Sequence, residues 1–439
     1  MNEHIDVLAG SVKDFRDLKD RSPITKAEAY ARWMNARVEA KVWPFRKQLL
    51  TAPKSHASVR MPEGSVVHGL NFSSQDYLSL STHPDVIACA HEAIDRFGLH
   101  SAGSPALTGN LGDGESLERE IADHLQTPFV TLFPTGWSAG FGIIKALVRQ
   151  TDHVVIDALA HNCLHEGTRA STGNIHMFRH LDHGHARELL ASIRARDTEN
   201  GILLISEGVY SMDADSPDIA AMQAIASEFN AIFVLDVAHD LGCSGPDGTG
   251  HLGIQNMLGK VDIVMGAFSK TFASNGGFVA THHRAINDYL TMYSPPHTFS
   301  NALSPIQIAI VRQCLGIVRS EEGERLRVSL FRAVDALRQG LAGGGLFVYG
   351  APSAIVPVLL GSDPHSRLAY SMMADKDLLV NLVEFPAVAA NTARLRLQVM
   401  ANHTPEECAQ AAAIIVECVR ACDPSKPASL DMLRQPAFA

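Results

Sequence analysis

Lys270 sits in VDIVMGAFSKTFASNGGFVA, residues 261 to 280, between an apolar run at 261–265 and a second apolar run that follows Gly276-Gly277. The two runs read as buried strands, and the small residues between them as a turn that presents the lysine. A lysine held between buried strands gives up its proton readily, because desolvation disfavours the ammonium form. A neutral amine in such a place suits Schiff-base chemistry with a carbonyl compound or with pyridoxal phosphate. The competing reading is a surface lysine on a loop after a strand.

Further polar residues fall at the ends of apolar runs. Asp236 closes AIFVLD, with His239 three residues on. A carboxylate there is a helix cap, a metal ligand or the partner of a cationic ring nitrogen, and Lys270 one crossover later favours the last. Thr135-Gly136-Trp137-Ser138-Ala139-Gly140 ends one strand and opens a helix, where free backbone amides and the helix dipole suit a phosphate. Glu207 and Ser211 follow GILLIS. His161 follows HVVID, and in LAHNCLHEG it lies four residues before His165, so that the two would share a helix face. That is also a zinc-like spacing, but no HExxH pattern is present and no metal is expected. An imidazole at 161 suits stacking on a flat cofactor ring instead. His180, His183 and His185 in RHLDHGH read as a solvated loop.

These residues need a scaffold that brings strand ends together. From about 115 to 280, helical patterns alternate with the near-continuous apolar runs FVTLF, HVVID, GILLIS, AIFVLD and VDIVMG. Such βαβ alternation predicts an α/β fold whose central sheet is mostly parallel and covered on both faces, with ligands at the carboxyl ends of its strands. Residues 1–60 read as a helical arm, 61–295 as a large domain, 296–425 as a smaller α+β domain and 426–439 as a tail. Within the C-terminal part, a long helix is predicted over 305–341, strands at AIVPVLLG and RLRLQVM, and a closing helix from TPEE. The arm either covers its own domain or reaches a second subunit.

The chain has 439 residues, 46% hydrophobic and 19% charged, which suits an ordinary globular core. A net charge of -10 without a Lys/Arg run argues against a nucleic-acid surface. The seven cysteines show no metal-ligand spacing and read as reduced thiols. The N-terminus carries charges where a signal peptide needs an apolar region, and no 18-residue apolar run occurs, so a soluble, cytoplasmic protein is expected.

From about Asn71 to Cys418 the chain resembles the α-oxoamine synthases, a family of fold-type I pyridoxal phosphate enzymes. NFSSQDYLSLSTHP, SEGVYSMDADSPD, VLDVAHDLGCSGPDGTG, GAFSKTFASNGGF, TFSNALSP and ARLRLQVMANHTPEE carry the resemblance, in the family's order. It implies a large cofactor-binding domain, a smaller C-terminal domain and pyridoxal 5'-phosphate as cofactor. Lys270 would be the Schiff-base lysine, Asp236 the partner of the ring nitrogen, and His239 a contact of the phenolic oxygen with Ser211 and Glu207 nearby. His161 would stack on the ring. Gly136 and Trp137 would offer amides to the phosphate, Ser300 would reach it from a neighbouring subunit, and Arg396 would hold the substrate carboxylate, with Gln75 facing the amino acid. Gln75 stands where the family often has asparagine, Ala267 where it usually has threonine, and SAGSPALTGN lacks a customary arginine.

The implied activity is a decarboxylating C-acyl transfer. An amino acid and an acyl thioester, on CoA or on an acyl-carrier protein, give an α-amino ketone, CO2 and free thiol, in a homodimer with shared active sites. The alternatives are a fold-type I aminotransferase or lyase and a non-catalytic scaffold paralogue.

Overall fold

The computed structural model describes residues 5–19 and 22–434. The first four residues of the expected arm and the last five of the expected tail lie outside them. Its strands run in chain order β1 (Gln48–Leu49), β2 (His56–Arg60) and β3 (Val66–Asn71), then β4 (Phe129–Phe133), β5 (His153–Asp157), β6 (Ile175–Phe178) and β7 (Ile202–Glu207). There follow β8 (Ile232–Asp236), β9 (Ile263–Ala267), β10 (Gly277–Thr281), β11 (Ile355–Gly361), β12 (Leu378–Leu379), β13 (Leu382–Val383) and β14 (Ala393–Gln398).

Two compact units result, and neither is continuous in sequence. The larger comprises residues 75–211 and 215–328, the smaller 1–74, 212–214 and 329–439. Residues 296–328, placed by pattern with the C-terminal domain, therefore count with the larger unit.

The larger unit is built on one seven-stranded sheet in the order β4-β10-β9-β8-β7-β5-β6. Its β-branched and leucine-rich strands are buried along their whole length in β7, β9 and β10, as a sheet covered on both faces requires. Pairing is parallel from β9 through β8, β7 and β5 to β6. Only β10 runs against its neighbours, β4 on one side and β9 on the other. The lysine turn is thus the tip of an antiparallel hairpin inside a parallel sheet. The edge strand β6 has no counterpart among the apolar runs above: IHMF is short, and His176 and the exposed Met177 break the pattern. The core under this sheet joins Phe133, Ile143, Ile156, Ile205, Val234, Met265 and Val279.

The smaller unit holds the mixed sheet β1-β2-β3-β12 and the antiparallel sheet β11-β14-β13. The helix Pro23–Glu39 belongs to it and buries Trp33 and Arg37. Arg37 and Arg367 both meet Glu384, the first at 3.4 Å and the second at 2.7 Å, and all three side chains are almost wholly buried. The described part of the arm therefore covers its own unit. The helix Asp363–Asp375 was not foreshadowed by periodicity. The stretch expected as one helix over 305–341 is two, Pro305–Val318 and Glu321–Gly343. They part at Ser320, whose hydroxyl oxygen accepts the amide of Glu322 at 3.2 Å and so starts a second helix.

Candidate active site

Three parallel strands deliver a buried carboxylate each at their carboxyl ends: Asp157 on β5, Glu207 on β7 and Asp236 on β8. Glu207 and Asp236 are direct register partners, so their side chains leave the sheet side by side. Two buried carboxylates so placed cannot both ionise cheaply. Burial raises the pKa of both. Lys270 and His161 draw that of Asp236 back down, whereas Glu207 is pushed well up by burial and by Asp236. Asp236 is the carboxylate that Lys270 and His161 act on, and its Oδ1 accepts the amide of Ala238 at 2.9 Å.

Lys270 is half-buried in the turn between β9 and β10. That turn meets the start of the helix Gly136–Leu147 through residues without bulk. A Cβ on Gly136 would lie 2.2 Å from the Ala267 Cβ, and one on Gly277 2.7 Å from the Gly136 Cα. Only glycine at 136 and 277 allows this approach. Thr135 caps the helix, accepting the Ser138 amide at 3.0 Å in a reciprocal capping box. The amides of Gly136 and Trp137, in the first turn, lack acceptors within the helix and point outward from its positive end. Trp137 is 46% exposed and stacks on Phe141 at 5.2 Å.

His161 does not share a helix face with His165. It is the N-cap of the helix Asn162–Ser171, in extended conformation, and its Nδ1 accepts the Cys163 amide at 3.3 Å. The Cys163 Sγ lies 3.0 Å from the same nitrogen. The neutral ring therefore carries its proton on Nε2. Its backbone amide donates to the Glu207 carboxylate, which makes Glu207 a holder of His161. His239 is arranged alike. It is buried, and the Tyr77 hydroxyl meets its Nδ1 at 3.0 Å, which fixes the orientation of the ring. Tyr77 was not singled out from the sequence, being 162 positions from its partner.

Gln75 is half-buried in the loop before Tyr77, a loop shaped by Asp76, whose carboxylate accepts the amides of Leu80 at 2.9 Å and Ser81 at 3.0 Å. Ser211 is half-buried in the loop after β7. The Ser300 hydroxyl donates to the Pro296 carbonyl. Arg396 lies in the smaller unit on β14, its amide donating to the Asn381 carbonyl at 2.9 Å. Its neighbour Arg394 is committed elsewhere in that unit, to the Asp213 carboxylate and the Met212 carbonyl, with its guanidinium 4.1 Å from the Tyr349 ring centre. His180 is not solvated loop either; Asp157 and Asp215 clamp it.

Residues 67–415 match the family model for aminotransferase class I and II. An 8-amino-7-oxononanoate synthase of Klebsiella pneumoniae is 31% identical over 363 residues, 83% of this chain and 92% of its own. The chain belongs to the aminotransferase class I and II family. A putative 8-amino-7-oxononanoate synthase 2 of Mycobacterium tuberculosis is 34% identical over 330 residues, 75% of this chain; the match spans only 42% of that longer relative. Serine palmitoyltransferase from S. paucimobilis, solved with bound PLP and myriocin, superposes with a TM-score of 0.85 at 27% identity, covering 92% of this chain and 99% of the other. A Sphingomonas wittichii serine palmitoyltransferase does so with a TM-score of 0.83 at 26% identity, covering 91% and 99%. The α-oxoamine synthase branch fits these relatives, and the fold is that of a fold-type I transferase.

The residues present fit pyridoxal phosphate. An amine on the β9–β10 turn, a buried carboxylate at the end of β8, a buried histidine oriented by Tyr77 and a glycine-lined helix start are the groups that the aldehyde, ring nitrogen, phenolic oxygen and phosphate need.

Proposed function

We propose that the protein is a pyridoxal phosphate-dependent C-acyltransferase that condenses an amino acid with an acyl thioester, releasing CO2, free thiol and an α-amino ketone. The observation that carries this reading is the pairing of Lys270 on its hairpin turn with Asp236 at the end of the adjacent parallel strand. When bound, the cofactor supplies an electron sink for a carbanion at the amino acid's Cα.

The chain's own residues do the rest. Lys270 Nζ would hold the cofactor and, as a neutral amine, would take the proton from the amino acid's Cα. Asp236 keeps the ring nitrogen protonated, for which it must stay ionised; Lys270 and His161 favour that form. His239, oriented by Tyr77 at Nδ1, would contact the phenolic oxygen. Ser211 would stand by the same edge. His161 would cover the ring and orient the substrate carboxylate or the thioester carbonyl, while Glu207 anchors its backbone. Gly136 and Trp137 give amides to the phosphate. Arg396 takes the substrate carboxylate as a two-pronged donor, and Gln75 contacts the amino acid. Ser300 reaches the phosphate of a second copy in a homodimer.

The donor thioester is acyl-CoA or an acyl-carrier protein. Lys270→Ala should abolish turnover and the visible band of the cofactor adduct; an unchanged spectrum with retained turnover would overturn the assignment. Serine, glycine and alanine should each be tried with a series of acyl-CoAs, reading thiol release. Amino-group transfer without thiol release would instead make the protein an aminotransferase.

A further inference from the structure

The loops that follow β5, β6 and β7 meet at His180. Its Nδ1 lies 2.9 Å from Asp157 Oδ1 and its Nε2 3.0 Å from Asp215 Oδ2. The ring stands edge-on to Tyr210, 4.5 Å between centres at 85°. Burial favours the neutral ring, but the bonds to Asp157 and Asp215 outweigh it and hold the pKa at about 10. Each partner reaches toward the site. Asp157, wholly buried, also accepts the amides of Leu159 at 2.8 Å and Leu181 at 2.9 Å, and Leu159 is two residues before His161. The Tyr210 hydroxyl meets Ser206 at 2.8 Å and accepts the Glu207 amide at 3.3 Å. Glu207 in turn holds the His161 amide.

We propose that His180 is a positioning residue: as an imidazolium bridging Asp157 and Asp215 it fixes the loop 158–161 and, through Asp157, Tyr210 and Glu207, the place of the His161 ring. His180 has no contact with substrate in this scheme; it acts through residues that do. The proposal rests on reading His161 as a cofactor contact, and is independent of which thioester or amino acid is used. Two paths converge on one imidazole, one through the Leu159 amide and one through the Glu207 carboxylate, so neutralising the bridge loosens both.

A double-mutant cycle on the full chain tests it, with His180→Asn and His161→Ala made singly and together. The readouts are the visible circular dichroism of the pyridoxal phosphate-loaded protein and, without cofactor, the NMR resonance of the His161 ring. In His180→Asn the absorbance band should persist while its dichroism falls to the level of His161→Ala, and the double variant should match His161→Ala alone. The His161 resonance should shift in the cofactor-free protein as well. Where turnover is measured, kcat should fall on the order of 10²-fold, as for a misplaced catalytic group. Additive effects in the cycle, or a lower melting temperature with unchanged dichroism and an unmoved His161 resonance, would overturn the proposal. Asp215→Asn, which leaves the imidazole in place, carries the same cycle should His180→Asn fail to fold. A wild-type protein that shows no visible band with pyridoxal phosphate sinks the cofactor reading instead, and the NMR arm still decides the role of His180.

Discussion

At the scale of single residues, contacts within the protein orient the imidazoles of the site. His239 and His161 both engage the protein through Nδ1, at the Tyr77 hydroxyl and the Cys163 amide respectively. Tyr77→Phe should strand a buried nitrogen, at a cost of about 1–3 kcal/mol in stability, and shift the pH at which the bound cofactor changes colour. Calorimetry and a spectrophotometric pH titration check the two effects separately. His180 gives a pH dependence of definite sign. Its pKa is raised from 6.5 to about 10, so its stabilising contribution is complete below about pH 6.5 and is lost as pH rises through about 10. The melting temperature of the wild type should therefore fall more steeply between pH 7 and 10.5 than that of His180→Asn, in parallel scans. Lys270 and Asp236 stood out in the sequence because Asp236 closes an apolar run and Lys270 lies in the small-residue turn between two such runs. Tyr77 and His180 were not, because their partners are distant in the chain and only the folded sheet brings them near.

Among the elements, the decisive one is the β9–β10 hairpin. A parallel strand followed by an antiparallel return puts its tip, with Lys270, beside the end of β8 and against the helix that starts at Gly136. Adding a methyl group at 136 would press on Ala267. Gly136→Ala should weaken pyridoxal phosphate binding and cost about 1–3 kcal/mol, measured by fluorescence titration of the cofactor and by denaturant unfolding. The apolar runs announced these strands but not the reversal of β10, since direction is a property of connection and Gly276-Gly277 offers a turn in either case. The edge strand β6 escaped notice for a different reason: pairing on one side alone does not demand an apolar run. In the smaller unit Glu384 sits between Arg37 and Arg367. Glu384→Ala would leave two buried guanidinium groups without their anion and should destabilise by about 3–5 kcal/mol; Arg37 titrates at about 10, lowered by burial despite Glu384.

For the molecule as a whole, the α/β alternation made the large sheet legible, and six of its seven strands run one way as expected. The division into units was less so, because stretches distant in sequence, 1–74 and 329–439, combine in one of them. The larger unit also carries apolar side chains in water: Leu107 is 80% exposed, Met292 62%, Tyr293 60% and Phe299 85%. A surface of this kind suits a second copy of the chain. Phe299 precedes Ser300, the residue assigned to the partner's phosphate. In the proposed homodimer, Phe299→Asp should therefore lower the mass seen in light scattering toward that of a monomer and weaken cofactor binding at the same time. No helix among the described residues is long and apolar enough to cross a membrane.

All seven cysteines are free thiols, six of them buried and Cys89 half-buried, and burial raises the pKa of the thiols at 89, 163, 243, 314, 408, 418 and 422. A disulfide reagent in the assay mixture would meet almost no reactive sulfur on the native protein, so the colour it develops would count product thiol. The same reagent would report on unfolding, because a chain that opens offers all seven sulfurs at once. One dye could then follow both turnover and the lifetime of the native state.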